Sequence, residues 1–237
     1  MKKHIPNAIT LLNLFLGSCT IVAVLDTQFM TAFYLLFFAG IADWMDGGAA
    51  RVLKVSSPIG KELDSLADMV SFGVVPGVIL YVLLFFGQTG NTDIHFSWAA
   101  MPAFLLTVFS GLRLARFNID ERQTDNFIGI ATPAVTVFMV GLMLTYHFDY
   151  FGLSSLVTDQ WFLYVVIGLF SWLLNAEIPM FSFKFKSSKW AGNEIQFIFI
   201  AVSLVLLFFM QGAAFSVNVL LYILINLGLY FGRKKES

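Results

Sequence analysis

The chain has 237 residues, 58% of them hydrophobic and only 12% charged, with a mean hydropathy of +0.81 and a formal charge of −1. That composition excludes an ordinary water-soluble domain. The basic residues are spread over connecting segments rather than gathered into one patch, which argues against a nucleic-acid binder.

In chain order, apolar stretches fall at 6–25, 28–53, 60–86, 97–118, 130–147, 160–176, 194–211 and 213–231. About 20 such residues make one helical span, so the pattern predicts an all-α, multi-pass membrane protein of eight spans. The runs are continuous rather than alternating, which disfavours the other spanning solution, a closed β-barrel. No polar connection exceeds about a dozen residues, so a single domain over 1–237 is expected. The first stretch, with Lys2 and Lys3 before it, has the outline of a signal peptide, and Leu16-Gly17-Ser18-Cys19 that of a lipoprotein cleavage site. Apolarity continues to Leu25, however, so an uncleaved helix is expected, with Cys19 as a small buried residue.

The basic residues give an independent test of topology, because short cytoplasmic loops retain lysine and arginine. Lys2 and Lys3 precede the first span; Arg51, Lys54 and Lys61 separate the second from the third; Arg113, Arg116 and Arg122 separate the fourth from the fifth. Lys184, Lys186 and Lys189 follow the sixth, and Arg233, Lys234 and Lys235 close the chain, so all 14 fall on one side of an eight-span path. Both termini and these loops are therefore expected in the cytoplasm. His95 and His147 fall in the opposite turns and His4 in the tail, away from any chemistry on the basic side.

Against this background the stretch from Asp43 to Asp68 is anomalous. Asp43, Asp46, Gly47 and Ala50 recur at offsets of three, four and seven, and Gly60, Asp64 and Asp68 at intervals of four, so each set shares a helix face. The short connection from Val52 to Ile59 implies that the two helices are neighbours. A rise of about 1.5 Å per residue keeps both carboxylate pairs within roughly 12 Å of the cytoplasmic ends. An aspartate at a span centre costs about 2.5 to 3.5 kcal/mol on insertion scales, and four together repel one another. Arg51 supplies one positive charge against four, so a pair of divalent cations of the hard type, such as Mg2+ or Mn2+, is the expected compensation. Gly47, Gly48, Ala49 and Ala50 leave a nearly bare helix face, suited either to a bulky ligand or to close helix packing.

These residues form D-x2-D-G-x2-A-R-x8-G-x3-D-x3-D, matched at Asp43, Asp46, Gly47, Ala50, Arg51, Gly60, Asp64 and Asp68. The pattern resembles the signature of the CDP-alcohol phosphotransferase family. The resemblance implies a reaction in which an alcohol attacks the lipid-proximal phosphorus of a CDP-linked lipid and CMP leaves. It also implies Asp43, Asp46 and Asp64 as metal ligands, and Asp68 as a ligand, a general base, or both. Gly47, Ala50 and Gly60 would admit the nucleotide and Arg51 would hold a phosphate. A homodimer is a further implication.

Three other stretches resemble the branch of the family whose acceptor is L-serine. "IPNAITLLN" carries Asn7 and Thr10 one turn apart, fit for helix capping or for nucleotide contact. "GLRLARFN" carries Arg113, Arg116 and Asn118, fit for snorkelling or for binding the acceptor carboxylate or lipid phosphate. "IPMFSFK" carries Ser182 and Lys184, with no role assigned. "FIGIATPAV" departs from the pattern at Ile130-Ala131-Thr132, and Glu177 is expected to be a solvated interfacial acid rather than part of the acceptor site. The expected substrates are thus CDP-diacylglycerol and L-serine, in a multi-pass protein of the cell membrane. Glycerol 3-phosphate or an inositol compound is the alternative acceptor, and a cation transporter the alternative from another class.

Overall fold

The computed structural model describes residues 4–55, 57–120, 127–181 and 192–236. Its path is helical almost throughout: α1 (His4–Leu25), α2 (Phe29–Leu53), α3 (Pro58–Asp68), a π-helical turn (Met69–Val74), α4 (Val75–Thr89), a 3-10 segment (Trp98–Phe104) leading into α5 (Leu105–Ile119), α6 (Thr132–Phe148), the short α7 (Ser154–Val157), α8 (Gln160–Asn175), α9 (Glu194–Met210) and α10 (Ala214–Glu236). A two-residue antiparallel pair, Phe127–Ile128 (β1) with Pro179–Met180 (β2), is the single departure from helix pairing among the described residues.

Five helical rods, His4–Leu25, Phe29–Leu53, Pro58–Thr89, Trp98–Ile119 and Glu194–Gly232, are long and apolar enough to cross a bilayer, and Thr132–Phe148 and Gln160–Asn175 are shorter apolar helices. The last rod is interrupted at Gln211, whose φ of 49° and ψ of −127° cannot continue a helix, so α9 and α10 form a hairpin.

Local chemistry sets the helix limits. Lys54 takes left-handed angles at the end of α2 and returns its N–H to Ala50 and Arg51 carbonyls. Ser57 then caps α3, its hydroxyl accepting the Gly60 N–H at 3.0 Å, with Pro58 at the first helical position. Asp159 caps α8 in the same way, accepting from Phe162 N–H at 2.8 Å.

α4 is the axis of the bundle: every residue from Val75 to Phe86 is buried. α1, α5, α6 and α8 pack around it, while α9 and α10 carry exposed apolar side chains such as Phe208 and Phe209, as lipid-facing helices do. α2 and α3 meet at their acidic ends, where carboxylates from both converge, as their short connection predicts. α1 packs along both helices. Cys19, expected to be buried, is only half-buried on α1.

Candidate active site

The N-terminal end of α1, the C-terminal end of α2, the start of α3 and the end of α5 come together at one end of the bundle. Lys61 Nζ donates to the Asn118 carbonyl at 3.2 Å and Asn118 Nδ2 donates to Ser65 Oγ at 2.8 Å, tying α5 to α3. The turns bearing His95 and His147 lie at the other end, packed on Phe85 and Phe29.

Asp43 of α2 and Asp64 and Asp68 of α3 each offer a carboxylate oxygen, all within 4.8 Å of one another. Asp43 and Asp68 lie at hydrogen-bond distance. Asp68 Oδ1 is buried with no partner among the described residues. Asp46 stands apart from this triad: it is 6% exposed and turned toward α1, its Oδ2 accepting the Thr10 hydroxyl at 2.5 Å. Asp43 Oδ1 accepts weakly from Asn13 Nδ2 at 3.5 Å, and Asn13 Oδ1 accepts from Ser71 Oγ at 2.7 Å. α1 therefore sets Thr10 and Asn13 against α2 and orients one α2 carboxylate with each.

Three convergent carboxylates with an orphaned buried oxygen suit a hard divalent cation such as Mg2+ or Mn2+, which takes oxygen ligands and offsets the mutual repulsion. Asn13 and Ser71 were not selected as site residues from sequence. An amide and a hydroxyl facing inward from otherwise apolar spans were the available signal.

Beside the triad a cleft of about 260 Å3 opens between α1, α2 and α3, lined by Asn7, Thr10, Asp46, Gly47, Ala50, Gly60, Lys61 and Asp64 among others. Neither Asn7 nor Thr10 acts as a helix cap; Thr10 Oγ also lies 3.1 Å from the Pro6 carbonyl. A Cβ on Gly60 would sit 3.0 Å from both Asn7 Oδ1 and Ser57 Oγ, so a larger residue would push into the cleft wall. Arg51 is exposed and folds back along α2, its Nη1 3.7 Å from where a Gly47 Cβ would lie. Among the described residues nothing lies within 4 Å of where a Gly48 Cβ would sit. A second concavity, an apolar groove of about 440 Å3, runs between α2 and α6 past Phe33, Phe37, Trp44 and Val137, with Asp43 in its wall.

The three α5 residues separate. Arg113 is 7% exposed, sits over the Phe117 ring at 5.7 Å and interacts electrostatically with Asp68, whereas Arg116 is exposed and Asn118 is spent on α3. Ser182 and Lys184 lie outside the described residues. The segment leading to them is anchored to α10, Phe181 N–H donating to Asn226 Oδ1 at 2.6 Å and its carbonyl accepting from Tyr222 at 2.9 Å. Glu177 is exposed.

A helical bundle with membrane-crossing rods, a carboxylate triad at one end, a polar cleft beside it and an apolar groove reaching it defines an integral membrane protein built to handle a polar, anionic group carried on a lipid. A family model for CDP-alcohol phosphatidyltransferases matches residues 3–174, and the chain belongs to that family. A CDP-diacylglycerol–serine O-phosphatidyltransferase of Helicobacter pylori (strain ATCC 700392 / 26695) is 34% identical over 226 residues, covering 92% of this chain and 87% of the relative. Proteins of the same name from Mycobacterium leprae (35% over 184 residues, 74% of this chain, 57% of the relative) and Bacillus subtilis (34% over 150 residues, 61% and 78%) are also similar. The family match ends within α8, so α9 and α10 lie beyond it.

Proposed function

We propose that the protein transfers the phosphatidyl group of CDP-diacylglycerol to the hydroxyl of L-serine, giving phosphatidylserine and CMP. The observation that carries this reading is the Asp43, Asp64 and Asp68 triad set between the cleft lined by Asn7, Thr10, Gly47, Ala50 and Gly60 and the buried Arg113. The relatives' names supply the acceptor.

In this reading the cytidine and pyrophosphate occupy the polar cleft, with Arg51 at its rim as a charge-assisted donor. An acyl chain lies in the apolar groove between α2 and α6. The serine oxygen attacks the phosphorus that bears diacylglycerol, its proton passes to a carboxylate oxygen of Asp68, and the bond to the CMP oxygen breaks with CMP leaving as the anion. Asp43, Asp64 and Asp68, with Asp46 beside them, would hold divalent metal, two ions of Mg2+ or Mn2+, which would supply neutralisation of the pyrophosphate charge. Thr10 and Asn13 keep Asp46 and Asp43 oriented.

The same proposal covers eight crossings, a single domain over 1–237, cytoplasmic termini and a cytoplasmic site, supported by the gathering of Arg51, Lys54, Lys61, Arg113 and Arg116 at the site's end. It extends to a homodimer, which cross-linking in native membranes tests. A cation transporter is disfavoured because the α4 axis, buried from Val75 to Phe86, offers no acid or amide to continue a path from the aspartates.

The test is CMP release from CDP-diacylglycerol by purified protein with L-serine against glycerol 3-phosphate, with EDTA and metal add-back. Release with glycerol 3-phosphate alone refutes the serine assignment, and transfer untouched by EDTA refutes the metal assignment.

A further inference from the structure

Among the described residues, four of the eight buried side-chain polar atoms that lack a hydrogen-bond partner lie on two facing helices: Ser110 Oγ and Arg113 Nε on α5, Ser171 Oγ and Asn175 Oδ1 on α8. Ser110, Arg113 and Ser171 are 0%, 7% and 6% exposed. Buried polar atoms are almost always paired, so such a concentration calls for a ligand that pairs them.

The spacing sets the group in one place. Ser110 is three residues before Arg113 and Ser171 four before Asn175, so each pair shares a face. Residues 109 and 110 form the turn just before Arg113, whose guanidinium lies over the Phe117 ring at 5.7 Å. Asn175 docks on that same turn, its Nδ2 donating to the Phe109 carbonyl at 3.0 Å. This contact uses the donor end of the amide and leaves Oδ1 as a pure acceptor. Arg113 Nε has no hydrogen-bond partner among the described residues, and the guanidinium interacts electrostatically with Asp68 and Tyr222, so the group adjoins the reacting end of the site.

We infer that Arg113 and Asn175 form the acceptor subsite, Arg113 taking a carboxylate and Asn175 Oδ1 an ammonium, so that Asn175 selects an α-amino acid over other hydroxyl compounds. This rests on the serine reading above. A lone guanidinium matches one carboxylate, and a neutral carbonyl oxygen accepts from an ammonium but gives a phosphate or polyol hydroxyl no compensating charge.

The test compares L-serine with 3-hydroxypropionate, which keeps the hydroxyl and carboxylate but lacks the ammonium. The measured quantity is the ratio of kcat/KM for the two acceptors, by CMP release. Losing one hydrogen bond to a charged group lowers that ratio about tenfold or more in Asn175→Leu, through KM for serine, with KM for CDP-diacylglycerol unchanged. Asn175→Gln, which keeps both the amide donor and the amide oxygen, leaves the ratio closer to wild type than Asn175→Leu does. A ratio that stays constant in both variants while the two activities fall together makes Asn175 a packing residue and overturns the inference. Wild-type protein that ignores serine overturns the serine reading itself, which is a separate outcome seen before any variant is made.

Discussion

Replacing Asp68 by asparagine separates what the carboxylate triad does for catalysis from what it does to stability. Two like charges 4.8 Å apart, the widest spacing among the three ligand atoms, repel by about 3 kcal/mol at an effective dielectric constant of about 20. Asp64 is exposed, so water screens its share, and Asp43 already lies at hydrogen-bond distance from Asp68. An amide in place of the Asp68 carboxylate removes one charge and gains a donor toward Asp43. In EDTA at alkaline pH, where Asp43 and Asp68 no longer share a proton, Asp68→Asn should therefore be more stable than wild type by about 1 to 3 kcal/mol, a rise of several degrees in melting temperature for a chain of this length. On adding Mg2+ or Mn2+ the wild type should gain stability and the variant much less, since a ligand stabilises only the state that binds it. Serine-dependent CMP release should fall by at least about 100-fold. Thermal unfolding in detergent, with and without metal, measures the first two. A variant that melts at or below wild type in EDTA at alkaline pH, or that gains as much from metal, refutes the account of the triad as a repulsive cation site.

Thr10→Val removes the hydroxyl on Asp46 without changing shape. It should lower kcat/KM by about 10- to 100-fold, while Thr10→Ser retains most activity; equal loss in both would show that the hydrogen bond is immaterial. Gly17→Ala places a methyl against Ser71, which holds Asn13. It should cost about 1 to 3 kcal/mol of stability and reduce transfer from a position a full turn from the carboxylates, with unchanged melting and activity counting against it. In a Cys19→Ser background, Lys54→Cys should react with a membrane-impermeant thiol reagent only after the inner face is opened and Asp93→Cys in intact cells; the reverse pattern inverts the orientation.

The helical segments were legible because each span is a long apolar run, and the site because aspartates are costly there and so stand out. Packing order was not. In a membrane chain every helix face is apolar, so periodicity carries little sign of which side meets a neighbour, and nothing in the sequence marked α1 as the helix that packs along both α2 and α3. For the same reason Arg113 and Arg116, one turn apart, looked equivalent, although one is enclosed against Phe117 and the other is exposed. Asp46 and Asp43 also read alike. Only the side chain across from each on α1 distinguishes the carboxylate bound to Thr10 from the one in the triad. The anchoring of Phe181 by Tyr222 and Asn226 joins residues more than 40 apart, a distance no local pattern spans.

The π-helical turn at Met69–Val74 joins the acidic helix to the wholly enclosed α4. Wider than an α-turn, it takes up about one extra residue, and each residue of an α-helix turns the chain by about 100°. It thus works as a phase adjuster in a continuous 32-residue rod, letting the half before it aim Asp64 and Asp68 while the half after it keeps a fixed fit to its neighbours. A one-residue deletion within it would preserve every side chain of both halves and still leave one of them facing the wrong way. Length is what selection should guard in that segment beside the Ser71 hydroxyl, so intolerance to indels, with substitutions tolerated away from Ser71, is its expected mutational signature.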